Sequence, residues 1–367
     1  MADQLKNVFN PPFFESFIHS VKEIVPYFNK QHFLNHVFDT KWPERALKER
    51  INHIATAFYQ ELRGSYIERS KILLGIVDEL DKKGTRGGLE HLFFPAIIEK
   101  YGLEEMDASL DAMERVTQFI SCEFAVRPFL IADQEKIMKR MLKWSLHPHP
   151  HVRRFSSEGC RPRLPWAMAI PALKKDPSPI IPLLENLKND DSLFVRKSVA
   201  NNLNDIAKDH PRIVFELSGK WKGNSKNTDW IIRHGCRTLL KKADQHTYKL
   251  FGLDDNLPCS ILQLKLDRKK LSIGDRLAFS FRFRVESEAT SRMRLEYAVY
   301  YVKSNGQQSR KIFQLAEKSF NPGMTYSFNK EQRFEDFTTR KHYPGKHKLG
   351  ILVNGKELAS SEFTLTQ

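Results

Sequence analysis

A helical solenoid followed by a small all-β sandwich is the fold class that this 367-residue sequence predicts. Three observations predict it. Apolar residues recur at helical spacing through residues 1–125. A diverged unit of about 40 residues repeats between residues 130 and 245. From residue 257 the apolar pattern changes to alternation.

In the first stretch Ile51, Ile54, Ala55, Phe58 and Leu62 share one helix face, as do Ile72, Leu73, Ile76, Val77 and Leu80. Gly84, Gly87 and Gly88 punctuate a loop after the second helix. In the second stretch a turn residue is followed three times by an aliphatic–arginine pair. The pairs are Val152-Arg153, Val195-Arg196 and Ile232-Arg233, 43 and 37 residues apart. A helix is expected before each, near residues 134–146, 179–189 and 211–221. Helix pairs at this period are the layout of HEAT-like repeats, which stack into a curved solenoid with one concave face.

The second helix of the middle pair has a core side, Val195, Val199, Leu203 and Ile206. Another side carries Lys197, Asn201 and Asp205. Arg154, Glu158 and Arg161 line up in the first repeat, and His234, Arg237 and Lys241 in the third. Cations thus recur on three successive helices, with carboxylates on only the first two. An ordinary solvated face is the alternative.

The third stretch alternates at Leu277, Phe279, Phe281, Phe283 and Val285, and again at Leu295, Tyr297, Val299 and Tyr301. Asn305-Gly306 and Asn354-Gly355 are expected as type I′ hairpin turns. Short strands at this spacing make a sandwich of immunoglobulin-like class. Residues 254–258 are the expected linker, which gives domains 1–255 and 257–367.

Net charge is +15, and it is unevenly spread: about −4 over residues 1–125, +11 over 126–245 and +8 over 246–367. The first stretch therefore looks like scaffold, and the other two like surfaces for a polyanion. Cys122, Cys160, Cys236 and Cys259 include no CxxC spacing, so neither a zinc site nor a redox pair is expected. Unpaired thiols fit a reducing cytoplasm. No run of 18 apolar residues and no signal-peptide core occurs, so no membrane association is expected. His147, His149 and His151 alternate in a proline-rich turn, where three rings rarely converge on a metal. No cofactor is expected.

The most informative segment runs from Trp144 to Trp166. It holds Arg153, Arg154, Arg161 and Arg163 and a single carboxylate, Glu158, between its two tryptophans. Arginines with aromatics suit a phosphate-binding surface. A carboxylate among them weakens anion binding, which points to chemistry on a cationic substrate.

The run His151-Val-Arg-Arg-Phe-Ser-Ser-Glu-Gly-Cys-Arg-Pro-Arg-Leu-Pro-Trp166 closely resembles the signature of the AlkC-type DNA alkylation-repair glycosylases. The resemblance extends over roughly residues 1–250, through Phe124-Ala-Val-Arg-Pro-Phe129 and Val195-Arg-Lys-Ser-Val-Ala-Asn-Asn-Leu-Asn-Asp205. It implies a bacterial base-excision enzyme built of HEAT-like repeats, in some members with a C-terminal immunoglobulin-like domain. The implied substrate is double-stranded DNA carrying small cationic bases. 3-Methyladenine comes first, with 3-methylcytosine and 1-methyladenine as further candidates. Excision without full base flipping and action as a monomer are also expected.

By position, the resemblance places active-site carboxylates at Glu158, Glu123 and Asp205 and an active-site aromatic at Trp166. DNA contacts are expected from Arg127, Arg153, Arg154, Arg161, Arg163, Arg196, Lys197, Asn201, Asn202, Arg233, His234, Arg237 and Lys241. A base alkylated at N3 is already cationic and needs no protonation to leave. What helps is negative charge near the sugar as oxocarbenium character develops. Carboxylates beside arginines are expected to be charged and so to supply it. On pattern alone each site residue keeps a structural alternative. Glu158 and Glu123 could be ion-pair partners, Asp205 could bond an asparagine, and Trp166 could be core. The rival function is a non-catalytic HEAT-repeat protein that binds damaged or bent DNA.

Overall fold

The computed structural model describes residues 5–253, 258–337 and 341–367. Most of the expected linker at 254–258 lies outside the described residues. Among those described are sixteen α-helices and then eight β-strands. No helix among them is long and apolar enough to cross a membrane. The helices of the acidic stretch are α1 (Pro11–Ile24), α2 (Lys30–Val37), α3 (Leu47–Glu61), α4 (Tyr66–Lys82), α5 (Phe93–Tyr101) and α6 (Met106–Phe119). Those of the basic stretch begin with α7 (Val126–Ala132), α8 (Gln134–Trp144), α9 (Pro150–Gly159), α10 (Pro171–Lys175) and α11 (Ile181–Leu187). They continue with α12 (Leu193–Asp209), α13 (Pro211–Trp221), α14 (Lys226–Gly235), α15 (Arg237–Lys241) and α16 (Gln245–Leu250).

The chain divides into two compact units, and the division does not fall at residue 255. One unit runs up to Asp209 and takes in Gly223–Gly235; the other holds His210–Lys222 and everything from Cys236. The first unit is helical throughout. Two of its helices start at clear sequence caps. The Asn10 side chain accepts from the Phe13 N–H at 3.0 Å ahead of two prolines, and Ser65 and Glu68 form a capping box on α4. Phe14, Phe17, Phe33, Phe58, Phe93 and Phe94 make an aromatic core for α1–α5.

The expected helices near 134–146, 179–189 and 211–221 are α8, α11 and α13. Val195, Val199, Leu203 and Ile206 are buried, as the core side of α12 requires. The third repeat needs a correction. Val152-Arg153 and Val195-Arg196 are the third and fourth residues of α9 and α12, but Ile232-Arg233 are the seventh and eighth of α14. Ser225 accepts from the Thr228 N–H at 3.0 Å and starts α14 one turn early. Thr228, not Ile232, therefore holds the position of Val152 and Val195. The face predicted at His234, Arg237 and Lys241 is displaced by the same turn, and Arg237 and Lys241 fall in the second unit.

In the second unit the strands are β1 (Cys259–Leu266), β2 (Lys270–Ser272), β3 (Arg276–Val285), β4 (Ser291–Val302), β5 (Gln308–Phe320), β6 (Thr325–Arg333), β7 (Gly345–Val353) and β8 (Lys356–Thr366). They form a three-stranded sheet, β1-β3-β6, and a five-stranded sheet, β2-β8-β7-β4-β5. Only β2 and β8 run parallel among the paired strands described. Leu277, Phe279, Phe281, Phe283 and Val285 of β3 meet Met293, Leu295, Tyr297 and Val299 of β4 in one core. β4 is buried on both faces. On its reverse, Arg294 donates to Glu296 at 2.6 Å, and Glu296 accepts from Tyr248 of α16 at 2.5 Å. The unit thus includes helices as well as the sandwich.

The two expected hairpin turns differ. Asn354 and Gly355 both have positive φ, 47° and 79°, as type I′ demands. At 305–306 only Gly306 does, with φ 76°. Here the loop between β4 and β5 is five residues long, and the Lys303 N–H bonds the Gln307 carbonyl. A loop of this length does not require the two-residue turn.

Candidate active site

Three elements of the first unit converge at the end of α9. Glu158 sits in its last turn, where a negative charge opposes the helix dipole. Close packing holds that turn in place. A Cβ on Gly159 would lie 2.8 Å from Val126 and 3.0 Å from Met141. Asn202 of α12 donates to the Ser157 carbonyl at 2.9 Å. The loop after α9 carries Arg161, and α12 brings Asp205 alongside.

The charged groups form a chain. Glu123 pairs with Arg154 at 2.8 Å, and Arg154 lies 3.6 Å from Glu158 Oε1. Glu158 Oε1 also accepts from Arg161 at 2.6 Å, and Arg161 reaches Asp205 Oδ2 at 2.9 Å. Lys208 ends the chain on Asp205 Oδ1 at 2.9 Å. Three acids therefore face three cations. Glu158, Arg161 and Asp205 are 6%, 6% and 1% exposed. Burial alone would lower the Arg161 pKa, but the two carboxylates it bonds outweigh that and raise it. The oxygens are not equivalent. Those of Asp205 and Glu123 are all engaged, whereas Glu158 Oε2 has no bonding partner among the described residues.

Trp166 is 65% exposed, so it is not core. Its φ is 67°, and Pro165 precedes it. The Ala167 N–H bonds the Leu164 carbonyl across this turn. Proline second and positive φ third is the pattern of a type II turn, where glycine usually takes the third place. A tryptophan there costs roughly 1–3 kcal/mol. Two cations hold the loop. The ammonium of Lys48 bonds the Trp166 carbonyl. Arg127 donates to the carbonyls of Met168, Gly159 and Arg161 at 2.6, 3.0 and 3.0 Å.

Several residues expected to touch DNA have other work here. Arg127 is wholly buried, and that burial brings its pKa down to about 10. It cannot meet a phosphate from there. Asn202 is also wholly buried. Arg153 bonds the His147 and Pro148 carbonyls and pairs with Asp190 at 2.6 Å. Arg196 bonds the Asp190 and Asp191 carbonyls at 2.9 and 2.8 Å. Arg163 pairs with Asp209 at 2.6 Å. The four arginines between the tryptophans thus meet carboxylates drawn from elsewhere in the chain, and the apparent cationic excess is largely neutralised. Lys197 is exposed; Asn201, Arg233 and His234 are half-buried. The rings of His234 and Trp230 stack 5.1 Å apart. Among the described residues no group of three His, Cys, Asp or Glu is disposed to hold a metal ion.

The family described as DNA alkylation repair enzyme matches residues 111–239. The C-terminal Ig-like domain of the uncharacterised protein YhaZ matches residues 260–367. The Bacillus subtilis protein YhaZ, itself described as uncharacterized, is 43% identical over 363 residues, covering 99% of each chain. The alkylpurine DNA glycosylase AlkC of Pseudomonas fluorescens, solved bound to DNA containing an abasic site analog, is 34% identical. Its fold superposes with a TM-score of 0.93, covering all of both chains. The chain belongs to the AlkC-type family of DNA alkylation-repair glycosylases.

The AlkC-type signature therefore occupies α9 and the loop that follows it. Residues that reading the sequence missed also stand there. Phe194 of α12 lies 4.8 Å under the Arg154 guanidinium. Lys48 and Glu99 come from the acidic stretch that looked like plain scaffold. Nothing local in sequence marks them; only the packing of α3 and α5 brings them to Trp166.

Proposed function

We propose that this chain hydrolyses the N-glycosidic bond of small cationic alkylated bases in double-stranded DNA, leaving an abasic site in an uncut strand. 3-Methyladenine is the principal substrate, with 3-methylcytosine and 1-methyladenine after it. The lesion is cut without being drawn fully out of the duplex. The observation that carries this reading is the chain of three carboxylates threaded on two arginines, with one oxygen of Glu158 left open. The Pseudomonas fluorescens relative, an alkylpurine DNA glycosylase bound to DNA, supports it.

As the C1′–N bond breaks, its electron pair passes to the base and cancels the positive charge there. The sugar takes up oxocarbenium character in exchange. Glu158 has one oxygen anchored by Arg161 and the other unbonded, so Oε2 can face the developing charge or hold water against C1′. Asp205 and Glu123 hold the two arginines and keep them from neutralising Glu158 outright. A water adds to C1′ and passes a proton to Glu158 Oε2, from which it returns to solvent. No acid is needed for the leaving base, so neutral lesions such as O6-methylguanine should be left alone. Trp166 is placed to stack on or wedge beside the lesion, drawn by its charge. Lys197 and His234 remain the candidates for phosphate contacts in the first unit, and Lys241 in the second.

The test is base release by purified protein from duplexes carrying 3-methyladenine or O6-methylguanine, with strand length measured in parallel. Free 3-methyladenine, intact strands and no release of the neutral base are expected. Tight binding with no base released would instead make the chain a damage-binding protein.

A further inference from the structure

A cavity of about 530 Å³ opens behind Trp166. Its walls come from α3, from the part of α5 that carries Pro95, Ala96 and Glu99, and from the segments around Phe124 and Trp166. Two of its lining residues, Glu123 and Trp166, also belong to the candidate active site, so the two spaces share a lip. The lining is mostly apolar. Its polar side chains are Lys48 and Asn52 of α3, Glu99 of α5, and Ser121 and Glu123. Glu99 is half-buried and has no hydrogen-bond or ion-pair partner among the described residues. The side-chain amide of Asn52, from α3, has none either. Lys48 is already engaged, bonding the Trp166 carbonyl with its ammonium 5.7 Å from the Phe124 ring centroid.

Apolar walls with an amide and an unpartnered carboxyl group are what a nucleobase needs. An amide pairs with the adenine edge, and a carboxylate accepts from the exocyclic amino group of cytosine. The volume exceeds that of a purine, so a base fits with water to spare. A freshly released base is also the natural occupant. Bond cleavage leaves it neutral but still beside C1′, where it competes with water for the sugar. Moving it past Trp166 would clear that position.

We propose that this cavity receives the excised base, a flat alkylated purine or pyrimidine, and that Glu99 and Asn52 hold its polar edge. The inference rests on the glycosylase reading. Burial raises the proton affinity of the Glu99 carboxyl, with Lys48 opposing, which suits a group that meets a neutral ligand rather than a cation.

The experiment uses the full chain and free 3-methyladenine as probe, first without DNA. Equilibrium dialysis should give one saturable site per chain. Ala96→Leu, which fills the cavity from α5, should weaken it by about tenfold or more. Glu99→Gln keeps the volume and should weaken it by roughly fivefold, so the result does not depend on one variant folding. Added 3-methyladenine should also inhibit multiple-turnover excision by the unaltered protein, and less so by Ala96→Leu. Single-turnover excision by Ala96→Leu should match the unaltered protein. Absence of saturable binding, or equal binding in both variants, would overturn the proposal. So would a single-turnover rate that falls with cavity filling, because the base would then occupy the cavity before its bond breaks. Failure of the glycosylase reading itself would appear separately, as no base released from DNA.

Discussion

Arg153 and Arg154 are neighbours on α9, yet they answer to different parts of the molecule. Arg153 turns back to the carbonyls five and six residues before it and to Asp190. Arg196 on α12 does the same with the carbonyls of Asp190 and Asp191. The arginine shared by the first two repeats therefore closes the turn that leads into α9 and into α12, and it recurs there because the fold recurs. Arg154 and Arg161 have no counterpart in that pattern. They hold Glu123, Glu158 and Asp205, which come from three separate elements. Repetition in this sequence marks architecture, and departure from repetition marks the site.

Substitutions can break or sharpen that contrast. Arg161→Ala should have the largest effect. It removes the cation shared by two buried carboxylates, leaving Asp205 with Lys208 and Glu158 with Arg154 at 3.6 Å, which should cost about 3 kcal/mol of stability. Excision should fall by about two powers of ten or more in the protein that still folds. Chemical denaturation and single-turnover assays check both; a stable, active variant would dissolve the distinction. Arg127→Met should come next. It frees three carbonyls that hold the Trp166 loop, so excision should drop by roughly ten- to a hundredfold through misplacement. Binding of undamaged DNA should hardly change, which a direct phosphate contact at Arg127 would not allow.

Arg153→Ala should be smaller and of another kind. It should lower stability by about 1–3 kcal/mol and leave the excision rate of folded protein unchanged. A salt-dependent loss of DNA affinity would return Arg153 to the binding surface. Smallest is the effect of Arg282→Ser with Arg284→Ser on the exposed face of β3, beside Ser327 and Thr325 of β6. If these side chains meet phosphates, each should lower the slope of log K against log salt by roughly 0.9. An unchanged slope would remove that face from the binding surface.

Much of this was legible beforehand, and the reason is periodicity. Alternation placed β3 and the inner side of β4, and helical spacing placed the core of α12 and the helices ahead of each repeat. What failed did so for local reasons. The third repeat slipped by one turn because Ser225, rather than the aliphatic–arginine pair, starts α14. The boundary near residue 255 follows the change from helix to strand and is a different division from the compact units, because packing joins Tyr248 of α16 to Glu296 of β4. Side-chain direction was the least legible property. Nothing in the order of residues says that Arg127 and Asn202 point inward while Trp166 points out. The carboxylates were found through the signature, but their linkage through Arg154 and Arg161 needed the fold. Lys48 and Glu99 needed it altogether.

The most direct measurement compares Glu158→Gln with the unaltered protein in single-turnover release of 3-methyladenine, alongside DNA affinity at fixed salt. The amide keeps the shape and a hydrogen bond to Arg161 but removes the charge proposed to face the sugar. Excision should fall by about two powers of ten or more, with affinity kept or improved. Near-normal excision by the folded variant would contradict the account, because the open oxygen of Glu158 would then not be what stabilises the departing base's partner.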